Sequence, residues 1–105
     1  MKKSLVIVAF TLSMSSQAGA EEATDYDQKI CELESSLAYQ IMSFRQSGSP
    51  MHEVLQASVG DDLKSVVRDA YDTQQFQSEY AQGIIKTEFA KLRYYKCLDR
   101  MGVKF

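Results

Sequence analysis

Phe44 to Val54, FRQSGSPMHEV, is the stretch where one helical pattern stops and another begins. Upstream of it Ile30, Leu33, Leu37, Ile41 and Phe44 recur at steps of three and four, the spacing that places side chains on one face of a helix. Cys31, Ala38 and Met42 form a second stripe beside that face, and so wide an apolar arc predicts a helix touching two neighbours. Gly48 suits the left-handed position just past a helix end, Ser49 the cap of the next helix, and Pro50 its first position, where no amide hydrogen is needed. The stretch therefore predicts a tight helix-turn-helix corner, and with it an all-helical chain.

Reading downstream, a short helix is expected from Pro50 to about Ser58, burying Met51, Val54 and Leu55 and ended by Gly60. Asp61 or Asp62 would cap a third helix whose inward side is Leu63, Val66, Val67, Ala70 and Tyr71. Thr73 to Gln77 is polar except for Phe76 and reads as the longest interior connection, with Phe76 turned to the core. Ser78 followed by Glu79 opens a last long helix, with Ala81, Ile84, Ile85, Phe89, Leu92 and Tyr95 inward and an end near Leu98 to Met101, before Gly102. Gly83 weakens that helix by up to about 1 kcal/mol relative to alanine, which predicts fraying or close helix contact there. No strand alternation, repeat, low-complexity tract or domain linker is present.

Upstream, the first helix is expected to start after Thr24 or Asp25, because residues 1–20 have the build of a cleavable export signal. Lys2 and Lys3 supply the positive start, Leu5 to Leu12 a short apolar run, and Ala18-Gly19-Ala20 the small-x-small pattern that puts the cut before Glu21. The apolar run is shorter than the roughly 20 residues a membrane span needs. The expected product is a single helical domain of residues 21–105 with no transmembrane segment, located in the periplasm or secreted. Lys2 and Lys3 are two of the 12 basic residues, so the product carries ten against 14 acidic ones, a net charge of about -4 that argues against a nucleic-acid binder.

A domain of about 85 residues is marginal without a staple. Both cysteines, Cys31 and Cys97, lie in that domain, and exported proteins live where disulfides persist. An internal bond would close a loop of roughly 66 residues, worth about 4 kcal/mol on chain-entropy grounds; an intermolecular bridge or a reactive thiol are the alternatives. The internal bond requires α-carbons within about 7 Å, so the start of the first long helix must meet the end of the last. The expected fold is a compact all-α domain of four helices, two long and two short, with one disulfide joining first to last.

Chemistry is sparse. His52 is the only histidine and no nucleophile motif surrounds it, so a triad lacks its base. One histidine and two disulfide-committed cysteines make no convincing metal set, and CxxC and glycine-rich phosphate loops are absent. The expectation is a non-enzyme without cofactor or metal. Candidate binding residues are Arg45 and Gln46 at the corner, His52 beside it, and Tyr94 and Lys96 in the C-terminal segment. Arg45 could clamp the corner by pairing Asp69 or Asp72 of the third helix or by reaching the last carbonyls, or it could anchor a partner. His52 reads as an exposed first-turn residue or a pH sensor. From Lys86 onward six basic residues face two acidic ones, while Glu21 to Glu34 has six acidic against one basic. The disulfide would bring the two segments together, so internal charge complementarity competes with an anion-binding surface. Tyr94 falls opposite Ile85, Phe89 and Leu92 and is expected to be exposed.

With an early mature cysteine, RQSG, VVRDAY and a final helix closing on a cysteine, the chain resembles the small exported one-disulfide helical proteins found as hypothetical proteins in proteobacteria and their phages. Arg45, Gln46, Gly48, Ala70, Tyr71 and the cysteines carry the resemblance, which implies the fold and no activity. The functional expectation is a protein-binding module acting by surface complementarity on another envelope protein, as an inhibitor, an immunity protein or an accessory factor. The alternative is a binder of anionic lipid or cell-wall polymer through the basic, tyrosine-bearing C-terminal segment.

Overall fold

A computed structural model describes the backbone of residues 3–103 and the side chains of residues 25–103. Four helices follow one another, α1 (Lys3–Ser47), α2 (Met51–Ala57), α3 (Asp61–Tyr71) and α4 (Glu79–Arg100), with no strand among the described residues. The side chains of the expected export signal lie outside the described ones. α1 passes through Thr24 and Asp25 without a break, so neither caps it; amides there already find carbonyls one turn upstream. Among the described residues no helix is long and apolar enough to cross a membrane.

Cys31 and Cys97 form the disulfide, with α-carbons 5.4 Å apart, tying α1 to the end of α4. The Ser35 hydroxyl donates to the Ala90 carbonyl at 2.9 Å, so residue numbers rise along α1 as they fall along α4 and the two run antiparallel. α3 packs on α1 and touches α4 through Asp69, which meets Arg93, and through the core around Phe89, while α2 closes over α1 and α3. The main core joins Ala38, Ile41 and Met42 of α1 to Val54, to Val66, Val67 and Ala70, and to Phe89. Each large apolar side chain buried there contributes about 1.5–3 kcal/mol. A smaller cluster at the disulfide adds Leu98, with Tyr94, Met101 and Val103 packed on it.

The inward side of α3 is the one its periodicity predicts, but α1 and α4 are each turned about their axes. α1 buries Cys31, Ala38, Ile41, Met42 and Gln46, while Leu33 is 61% and Phe44 46% exposed. Small residues decide this: with Cys31, Ser35 and Ala38 inward, α4 comes near enough for the sulfur bond and the Ser35–Ala90 contact, where Leu33 would hold the helices apart. α4 correspondingly buries Phe89, Arg93, Cys97 and Leu98 and leaves Ile84, Leu92 and Tyr95 exposed. Met51 is exposed as well. Gly83 neither frays α4 nor sits in a close contact: it lies inside the helix with open space around it.

The corners are one step displaced from expectation. Gly48 does take the left-handed conformation (φ 91°), and the Ser49 and Gly48 amides donate to the Phe44 and Arg45 carbonyls, a Schellman end. Pro50, not Ser49, is the cap of α2, and Gly60, not Asp61 or Asp62, that of α3; neither cap makes a side-chain hydrogen bond. The Lys64 ammonium instead donates to the Leu55 and Ser58 carbonyls, closing the end of α2 from the next helix. Ser78 caps α4 as predicted, its hydroxyl accepting from the Ala81 amide.

Candidate functional site

Three surfaces carry the candidate residues. At the corner, Gln46 is only 2% exposed, so it offers no side chain to a partner. Its amide nitrogen donates to the Gln74 carbonyl and its oxygen accepts from the Phe76 amide, both under 3 Å. That is how a residue flanked by polar neighbours comes to be buried: the extended 73–77 connection has unpaired backbone groups, and one carboxamide matches a donor and an acceptor. Arg45 meets neither Asp69 nor Asp72. Its Nε donates to the Thr73 carbonyl at 2.9 Å, and its guanidinium lies 5.4 Å from the Tyr71 ring centre. The Tyr71 hydroxyl donates to the Ser49 carbonyl, and burial pushes its pKa up, opposed by the nearby Arg45 charge. Arg45, Gln46 and Tyr71 together lock α1, the α1–α2 corner and the α3–α4 connection into one piece. His52 is exposed on the first turn of α2.

At the opposite end the basic segment is partly consumed inside the fold. Arg93, 6% exposed, donates to Asp69 at 2.7 Å and lies 3.4 Å from Glu34; Arg100 donates to the other Glu34 oxygen at 2.8 Å. The Glu34 hydrogen bond raises the Arg100 pKa further above its ordinary value, against partial burial. A buried cation without such partners would be strongly destabilising, and two carboxylates, Glu34 of α1 and Asp69 of α3, supply its counter-charge, while its Nε is buried without a hydrogen-bond partner among the described residues. Tyr94, expected to be exposed, is half-buried on the disulfide cluster, because α4 is rotated to bring Cys97 inward. Lys96 stays exposed. Sequence reasoning missed Arg93, although its position midway between Phe89 and Cys97, four residues from each, puts it on the inward stripe.

The third surface is a groove of about 330 Å³ between α1 and α2. Leu37, Ile41 and Phe44 of α1 line it on one side and Val54 and Ala57 of α2 on the other, with Leu63 of α3 also in the lining; Gln40, Ser49, Glu53 and Ser58 form its polar parts. The rotation of α1 creates it, since the bulky face meant for a core is left beside a helix only seven residues long. Arg45, Gln46 and Tyr71 hold the corner from which both walls spring, so the groove is a preformed one. Glu53 is the one ionisable lining residue, which makes the surface suited to apolar contact and unsuited to acid–base chemistry. Among the described residues no three of His, Cys, Asp and Glu cluster as metal ligands.

Compared with protein-family models, curated proteins and solved structures, the chain matches none. The site must therefore be read from its own geometry.

Proposed function

We propose that this chain is a small exported protein-binding module that acts in the periplasm, or after release, by shape and surface complementarity on another envelope protein, as an inhibitor, immunity protein or accessory factor. The signal-like residues 1–20 and the disulfide support export. The observation that carries the binding role is the apolar groove beside exposed Leu33 and Phe44, on a corner held by polar clamps: exposed apolar surface of this kind marks interaction sites. The partner it favours is a protein, because the groove itself is lined by apolar and uncharged side chains except for Glu53 at its rim. Binding through the basic C-terminal segment draws less support, since Arg93 and Arg100 are neutralised by Glu34 and Asp69 and Tyr94 packs on the disulfide cluster.

The test is affinity purification of the tagged, oxidised chain from envelope extract, followed by titration of whatever co-purifies. A saturable, stoichiometric partner is expected. Recovery of no saturable protein partner, with sedimentation onto anionic vesicles or cell wall instead, would overturn the reading.

A further inference from the structure

α1 carries a second apolar face that the core does not use. Starting at Tyr26 and stepping alternately by four and three, the positions are Tyr26, Ile30, Leu33, Leu37, Gln40 and Phe44, of which only Gln40 is polar. This is the spacing of a helix–helix seam. Tyr26, Leu33 and Phe44 are exposed, Ile30 and Leu37 half-buried, and the C-terminal half of the seam is the α1 wall of the groove. From Tyr26 to Phe44 the track runs about 27 Å, five helical turns. Beside it acidic groups outnumber basic ones by a small margin: Asp25, Asp27 and, on the α2 wall, Glu53 against Lys29 and Arg45, with Glu32 further round the helix.

We infer that this track is the docking site for one amphipathic α-helix of a partner protein, its apolar seam laid along α1 and its flanks basic. The inference rests on the protein-binding reading and names the partner's chemistry. A helix fits because it satisfies its own backbone. An extended segment would lay unpaired N–H and C=O groups against apolar walls, with no sheet edge among the described residues to pair them. Basic flanks fit because they answer the acidic rim, whereas a second copy of this chain would set the same acidic rim against itself.

The experiment uses the oxidised full domain and two synthetic helical peptides of about five turns with the same leucine seam, one flanked by lysines and one by glutamates. The expected result is saturable binding of the lysine-flanked peptide at micromolar concentration, with the glutamate-flanked peptide at least about tenfold weaker. Leu33→Asp combined with Phe44→Asp, both at exposed positions, should weaken the lysine-flanked peptide at least tenfold, while Tyr80→Asp on the exposed side of α4 should not. Each aspartate adds negative charge, so purely electrostatic attachment would instead strengthen. Circular dichroism and an intact disulfide establish that the variants fold. Unchanged or stronger binding by the double variant, equal binding of the two peptides, or binding of neither overturns the inference. So does a dimer in sedimentation that Leu33→Asp dissolves, which would make the occupant a second copy. If the peptides fail and an envelope protein still co-purifies, the helix-docking inference falls and the binding-module reading stands.

Discussion

The two ends of this helical body are held by different means. At one end a covalent bond, Cys31–Cys97, joins α1 to α4 inside a cluster of Leu98, Tyr94, Met101 and Val103. At the other no covalent bond exists, and Arg45, Gln46 and Tyr71 reach across to backbone carbonyls and an amide of the α1–α2 corner and the α3–α4 connection. Both ends share one device, a Schellman glycine: Gly48 ends α1, and Gly102 (φ 78°) ends α4, with the Val103 amide bonded to the Leu98 carbonyl. The disulfide acts mainly by restricting the unfolded chain, so it tolerates loose surroundings. The polar end acts only in the folded state, and each of its bonds needs its geometry. The groove between α1 and α2 opens next to the polar end, whose clamps hold its walls in position.

The largest effect expected from breaking this contrast is at the covalent end. Cys31→Ala with Cys97→Ala should lower unfolding free energy by about 4 kcal/mol in denaturant titration, with the helical signal retained under native conditions if the remaining core suffices. Gln46→Ala should follow at about 1–3 kcal/mol, because it removes the side chain that pairs the Phe76 amide and the Gln74 carbonyl in two part-buried hydrogen bonds. Hydrogen exchange should then quicken in the 73–77 connection ahead of the disulfide cluster; uniform quickening would show that the two ends are not separate units. Gly48→Ala puts a Cβ at φ 91° and should cost about 1–2 kcal/mol, although its nearest neighbour, the Gln75 side chain, leaves room.

The smallest effect concerns Tyr71. Its pKa is raised in the folded state, so the folded chain binds the phenolic proton more tightly than the unfolded chain does. The resulting stability is present in full below the ordinary tyrosine pKa of 10 and is lost as pH climbs through the higher folded value. Stability should therefore fall in strongly alkaline solution, and Tyr71→Phe should flatten that part of the pH profile while removing the Ser49 hydrogen bond at about 1 kcal/mol. An alkaline profile unchanged by Tyr71→Phe would assign the loss to other groups.

Much of this was legible before any coordinates. Gly48, Gly60 and Gly102 marked the breaks, Ser78 marked the start of α4, and α3, whose one amphipathic stripe leaves no choice of face, was read correctly side chain by side chain. The faces of α1 and α4 were read in part: the Cys31, Ala38 and Met42 stripe, Ile41, Ile85 and Phe89 do face inward, but Leu33, Phe44, Ile84, Leu92 and Tyr95 do not, since periodicity weighs bulk while close approach favours small residues. The candidate site shared that fate. Gln46 and Tyr94 looked like surface residues and are packed, Arg93 looked like a surface charge and is buried, and the groove at Phe44 was invisible because Phe44 was assigned to the core.

Local sequence determined what depends on neighbours in the chain: helix content, helix ends and the one possible internal sulfur pairing. Only the tertiary structure decided which side of each long helix faces inward, because that depends on how near two backbones can come, and the decision is made by Cys31, Ser35 and Ala38 across α4. The same rotation that buries Arg93 between Glu34 and Asp69 leaves Leu33 and Phe44 facing outward beside α2, where a groove forms instead of a core.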